Sequence, residues 1–228
     1  MEGRMKRTRL KVCCISSVEE AMTAISAGAD ALGLVAKMPG GPGVISDELI
    51  YDISRRVPPP VATFILTSET EAQEIVDHHK RTGTGVIQIV DHIKLSNYEK
   101  MRKKLIGVKL VQVVHIEGCE SVDYALEAAK LADALLLDSG KPSCAQKILG
   151  GTGMKHDWAL SRLIVAKSPV PVFLAGGINP DNVADAINQV RPFGIDLCSG
   201  VRTAGGLDEE KLKTLVARMK TADMANAL

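Results

Sequence analysis

A strand-length apolar run followed by an amphipathic helical stretch recurs eight times along this chain, and that rhythm limits the fold more than any other feature. The first units read "LKVCCI" then "SVEEAMTAISAGA", and "DALGLVA" then "SDELIYDISRRV". They continue with "VATFIL" and "SETEAQEIVDHHKRTG", "GVIQIV" and "LSNYEKMRKKLIG", and "VKLVQVV" and "ESVDYALEAAKLA". The last three strands, "DALLLD", "PVFLAG" and "GIDLCSG", each precede a helical candidate that begins close to Asp157, Pro180 or Asp208. Val, Ile and Leu on both faces of a strand suit a parallel sheet buried on both sides, and strict β–α alternation needs right-handed crossovers. Eight such units in 228 residues match the size of a single-domain (β/α)8 TIM barrel. An open doubly wound sheet also alternates, but its first turn carries a GxGxxG signature, and here that turn reads "CISSVEE". The expected division is a solvated leader at 1–9, the barrel at 10–222 and a tail at 223–228.

Composition then narrows the function. With 46% hydrophobic residues the chain can bury one large core, and a formal net charge of +1 without a basic block removes the electrostatic grounds for a nucleic-acid or anionic-membrane partner. A small-molecule partner is expected instead. No apolar run approaches the roughly 20 residues of a membrane span, and "MEGRMKRTRLKV" lacks the long apolar region and cleavage site of a signal peptide, so a cytoplasmic protein is expected. Five cysteines, an odd number at irregular spacings, fit neither a disulfide framework nor paired zinc knuckles. Reduced thiols are the expectation.

In a barrel, chemistry gathers at the carboxyl ends of the strands and in the loops after them. At the end of the first strand, alternation places Cys13 on one face with Lys11 and Ile15 and turns Cys14 to the other, so one thiol faces the barrel mouth. Cys14, Cys119 and Cys144 read as small apolar fillers. A nearby lysine or helix terminus would bring the Cys13 thiol toward neutrality as a base. Asp138 ends "DALLLD" at the top of strand six, where it either caps the next loop or acts as a general acid. The loop "KPSCAQKILGGTGMKHDW" is roughly twice the usual βα length and reads as a lid or binding loop. "AGGIN" and "CSGV" put glycines after strands seven and eight, where this architecture often holds phosphate on backbone N–H groups. His78 and His79 read as solvent-facing helix residues, and His115 and His156 are too scattered for a metal site.

Taken together, "KVCCIS", "LLLDSG", "GGTGMKHDWAL", "LAGGINPDNVADAINQVRPFGIDLCSGV" and "LDEEKL" resemble phosphoribosylanthranilate isomerases, from about Lys11 to the last helix and most strongly from Gly150 to Val201. The resemblance implies an Amadori rearrangement of a phosphoribosyl arylamine to its 1-deoxyribulose form, in tryptophan biosynthesis, with no metal and no organic cofactor. It places the family's cysteine base on Cys13 and its aspartate acid on Asp138. It assigns the phosphate to backbone N–H groups around Gly176, Gly177, Ser199 and Gly200, loop closure to Gly151 and Gly153, and a ribose hydroxyl contact to Asp196. The implied partner is a phosphorylated small molecule, and barrels of this size occur as monomers or homodimers.

The chain departs from the family pattern in four places. Cys14 replaces a glycine after the cysteine, and "KMPGGPGVI" replaces a serine-rich loop ending in an arginine that faces the anthranilate carboxylate. Lys37 is the nearest substitute cation. Val90 stands at a histidine position, and Arg202 stands where the family often has glutamate. These changes cluster at the aromatic end of the substrate. They leave open a paralogue acting on another phosphorylated ligand, and a non-catalytic phosphoribosyl-binding barrel.

Overall fold

The computed structural model describes residues 7–140 and 157–226. Eight parallel strands close into a barrel in sequence order: β1 (Arg9–Val12), β2 (Ala31–Val35), β3 (Ala62–Thr67), β4 (Val86–Ile89), β5 (Lys109–His115), β6 (Ala134–Asp138), β7 (Val172–Leu174) and β8 (Gly194–Leu197). Between and after them lie α1 (Val18–Ser26), α2 (Asp47–Arg56), α3 (Ala72–Thr82), α4 (Ser96–Arg102), α5 (Glu120–Ala129), α6 (Trp158–Lys167), α7 (Val183–Val190) and α8 (Glu209–Ala225). A 3-10 turn at Ser199–Val201 and a small hairpin, β9 (Arg202–Thr203) with β10 (Gly206–Leu207), follow β8. The helices start where short polar side chains can take up free N–H groups. Ser17 accepts from Glu20, Ser46 from Leu49, Asp157 from Ala159 and Asp208 from Lys211.

Closure is made by β1 against β8, with Lys11 opposite Asp196 and Val12 opposite Leu197. Two apolar clusters result. The larger lies between sheet and helices and includes Val12, Leu34, Ile65, Ile87 and Leu137. The smaller fills the barrel interior and includes Val35, Phe64, Leu66, Val113, Leu136 and Phe173. At the amino-terminal rim, Asp30 accepts the N–H of Leu10, and Asp133 accepts that of Leu110 at 2.8 Å. Both aspartates open a "DAL" strand and pin the neighbouring strand's start.

Three expectations fail here. His78 is buried, with Nδ1 on the Thr67 hydroxyl at 2.9 Å and Nε2 on Asp47 at 3.1 Å, so it ties α3 to β3 and α2 rather than facing water. His79 is half-buried against the Thr84 carbonyl. Cys119 is an exposed free thiol and no core filler, while Cys144 lies outside the described residues.

Candidate active site

The strand alternation expected at Cys13 and Cys14 breaks. β1 ends at Val12, and Cys14 takes φ +63, the left-handed region that L side chains rarely occupy. Alternation holds only in extended backbone, so both cysteines line the same cavity at the barrel mouth, while Ile15 joins the outer cluster. Cys14 is also bonded to Cys198 in a disulfide, against the expectation of reduced thiols. The two Cα atoms lie 5.9 Å apart because barrel closure joins the ends of β1 and β8, across 184 residues of sequence. Spacing along the chain carries no trace of that proximity.

Cys13 is a free, buried thiol. Its neighbour Lys11 is fully buried and donates to Asp196 at 2.9 Å, with the ammonium 5.3 Å from the Phe64 ring centre. Burial by itself would strip the Lys11 proton, but the Asp196 and Cys13 charges outweigh it and hold its pKa above the ordinary lysine range. Burial is the main cause that pushes the Cys13 thiol up to about 11, with Asp196 adding to the rise, and Lys11 and the Cys14 amide opposing it. The neighbourhood therefore keeps the thiol protonated at neutral pH, where a shift toward neutrality was expected. Burial also raises Asp196, Lys11 opposes the rise, and Asp138 adds to it.

The space these groups share comes from a glycine. A Cβ on Gly33 of β2 would stand 2.6 Å from the Cys13 sulfur and 2.9 Å from the Lys11 ammonium nitrogen. Gly33 carries no role in the sequence reading, although a glycine inside the strand "ALGLV" is itself a sign of close approach.

Asp138 ends β6 on the same cavity as Cys13, buried, with a carboxylate oxygen accepting the Ser139 N–H at 2.7 Å. Gly176, Gly177, Asp196 and Ser199 line it too. Gly176 and Gly177 have φ +82 and +65, a doubled left-handed turn that side chains would strain. Gly200 sits behind this wall: a Cβ there would stand 2.0 Å from the Ile178 carbonyl, so the loops after β7 and β8 pack backbone to backbone. The structure thus brings Cys13, Asp138, Gly176, Gly177, Asp196 and Ser199 to one cavity, with Gly200 supporting it. Gly151 and Gly153 lie outside the described residues. The loop after β2 contributes Met38, Gly41 and Pro42 to the cavity, Val90 lines it after β4, and Lys37 is exposed. Among the described lining residues the charged side chains are Asp138 and Asp196.

Residues 10–218 match the family described as N-(5'phosphoribosyl)anthranilate (PRA) isomerase. N-(5'-phosphoribosyl)anthranilate isomerase 2 of Methanosarcina mazei is 34% identical over 214 residues, covering 93% of this chain and 94% of that protein. A crystal structure of a phosphoribosyl anthranilate isomerase in complex with reduced 1-(o-carboxyphenylamino)-1-deoxyribulose 5-phosphate superimposes with a TM-score of 0.77 at 26% identity, covering 94% and 99% of the two chains. Mutually generated monomers of the dimeric enzyme from Thermotoga maritima give a TM-score of 0.77 at 25% identity, with 94% and 99% covered. The eight-stranded barrel, the cysteine and aspartate on its mouth and a family match across nearly the whole chain converge on one conclusion: this protein belongs to the N-(5'-phosphoribosyl)anthranilate isomerase family.

Proposed function

We propose that this chain isomerises N-(5'-phosphoribosyl)anthranilate to 1-(o-carboxyphenylamino)-1-deoxyribulose 5-phosphate, a step of tryptophan biosynthesis. The observation that carries the reading is a thiol just after β1 and a carboxyl group at the end of β6, opening onto one cavity beside the glycine turn of Gly176 and Gly177. Asp138 gives a proton to the ribose ring oxygen, the C1–O bond breaks and a Schiff base forms at C1. Cys13, as thiolate, takes the C2 proton, and the resulting enolamine tautomerises to the ketone. The phosphate rests on backbone N–H groups of the loops after β7 and β8, and Asp196 meets a ribose hydroxyl. Burial raises the Cys13 thiol, so the thiolate is the minor form before substrate binds.

The test is steady-state turnover of N-(5'-phosphoribosyl)anthranilate by the unmodified protein, Cys13→Ala and Asp138→Asn. Each variant should lose at least about 10²-fold in kcat while still binding the reduced product analogue; retained turnover in either removes that residue from the reaction. A second reading has its own observation, the absence of lysine and arginine among the described residues lining the cavity. It gives the enzyme a phosphoribosyl arylamine without the ortho carboxylate, and a higher kcat/KM for the aniline derivative than for the anthranilate would favour it. A cytoplasmic homodimer completes the proposal. The dimeric relative supports the assembly, and no helix among the described residues is long and apolar enough to cross a membrane; sedimentation checks the assembly.

A further inference from the structure

Arg202 stands where the family often has glutamate, and nothing above uses it. From β9 its guanidinium reaches back to the end of β1, where Nη2 donates to the Cys14 carbonyl at 2.5 Å and to the Cys13 carbonyl at 3.4 Å. Nη1 donates to the Gly205 carbonyl and to Glu20, both at 2.9 Å. Glu20 also accepts the N–H groups of Ser16 and Leu207, each at 2.9 Å, so it locks the guanidinium between the loop after β1 and the hairpin after β8. The two side chains are 10% and 16% exposed, which puts the pair well above an ordinary surface ion pair in strength.

The peptide between Cys13 and Cys14 therefore has a guanidinium 3.4 Å from its carbonyl oxygen, while its N–H, next to the Cys13 sulfur, works against the burial that raises the thiol. A cation at the oxygen of an amide draws electron density from it and makes its N–H a better donor, and an N–H on a thiolate favours the charged form. The left-handed φ of Cys14 is the backbone turn that this arrangement holds. We propose that Arg202 is a positioning residue for Cys13, fixing and polarising the Cys13–Cys14 peptide so that its N–H supports negative charge on the sulfur. This rests on Cys13 being the base. The other charged groups about the sulfur are Lys11 on β1, Asp196 on β8 and Asp138 across the cavity on β6; β2 presents the uncharged Gly33. Arg202 acts on none of them directly, so its effect is separable from theirs.

The experiment reads the thiol without substrate. The full chain is treated with iodoacetamide at pH 9, and alkylation of the peptide bearing Cys13 is followed by mass spectrometry, apart from Cys119 and Cys144. Arg202→Gln should slow Cys13 alkylation about five- to tenfold, the change for a shift approaching one pH unit, and Arg202→Lys should fall between that variant and the unmodified chain. With phosphoribosyl substrate, kcat should drop and KM stay close to its original value. A residue that merely held the loop together would do the opposite, because loosening exposes a buried thiol and speeds its alkylation. An unchanged or faster rate in Arg202→Gln overturns the proposal. If that variant does not fold, Arg202→Lys decides alone: a slower rate supports the proposal and an equal or faster one overturns it. Absence of isomerase turnover in the unmodified chain would sink the proposed function and leave the alkylation result standing.

Discussion

At the scale of single residues, the mouth of this barrel is organised around shared space. Lys11, Cys13 and Asp196 converge over Gly33, where one hydrogen replaces a side chain that would overlap both the sulfur and the ammonium. Gly33→Ala should cost about 1–3 kcal/mol by urea unfolding, the range for overpacking a core, and should lower kcat more than it raises KM. The Lys11–Asp196 pair predicts a second asymmetry. Lys11→Met leaves a buried carboxylate without a counter-charge and should cost about 3–5 kcal/mol, whereas adding Asp196→Asn to it should recover most of the loss. A double variant that costs the sum of the Lys11→Met and Asp196→Asn single variants would mean the two groups do not interact. Cys13, Asp138 and the glycines after β7 and β8 could all be picked from the sequence because each sits in a short motif at a strand end. The contacts of Arg202 and the pairing of Lys11 with Asp196 could not, since they run from β8 and the hairpin after it to β1, which only closure makes adjacent.

At the scale of elements, local rules did most of the work. Ser17, Ser46, Asp157 and Asp208 start helices for reasons visible within four residues of sequence. The periodicity of α3 also held the signal for His78, because Ala72, Ile75, Val76 and Thr82 are buried on the same face. Asp133 shows how an element's end can carry pH dependence. Burial would raise its carboxyl, but the Leu110 N–H and the Arg102 guanidinium, 2.6 Å away, outweigh that and hold it below the ordinary 3.8. A carboxyl lowered by folding stabilises the native state fully above its unfolded value, and that contribution drains as pH falls past 3.8 and through the lower folded value. Asp133→Asn should therefore destabilise the protein at pH 7 and flatten the fall in unfolding free energy below about pH 4, measured by urea titration across that range. A parallel fall in both proteins would locate the acid sensitivity elsewhere.

At the scale of the whole molecule, closure of β1 on β8 is the decisive event. It pairs Lys11 with Asp196 across 185 residues, joins Cys14 to Cys198 across 184, and brings Arg202 to the carbonyls of Cys13 and Cys14. The disulfide restrains the unfolded chain over most of its length. Cys198→Ser, or dithiothreitol, should lower the unfolding free energy by about 2–5 kcal/mol, and an unchanged midpoint by calorimetry would show that the bridge contributes nothing to stability.

The amino-acid order by itself determined eight strands, their helices, the barrel that such alternation builds, and a cysteine and an aspartate at two strand ends, because periodicity, caps and motifs are written within windows of about 15 residues. Only the tertiary structure decided which ends would meet. That choice set the charge around the thiol, turned Cys14 into the cavity beside it and bonded it to Cys198, since burial and proximity exist only once the ring of strands has closed.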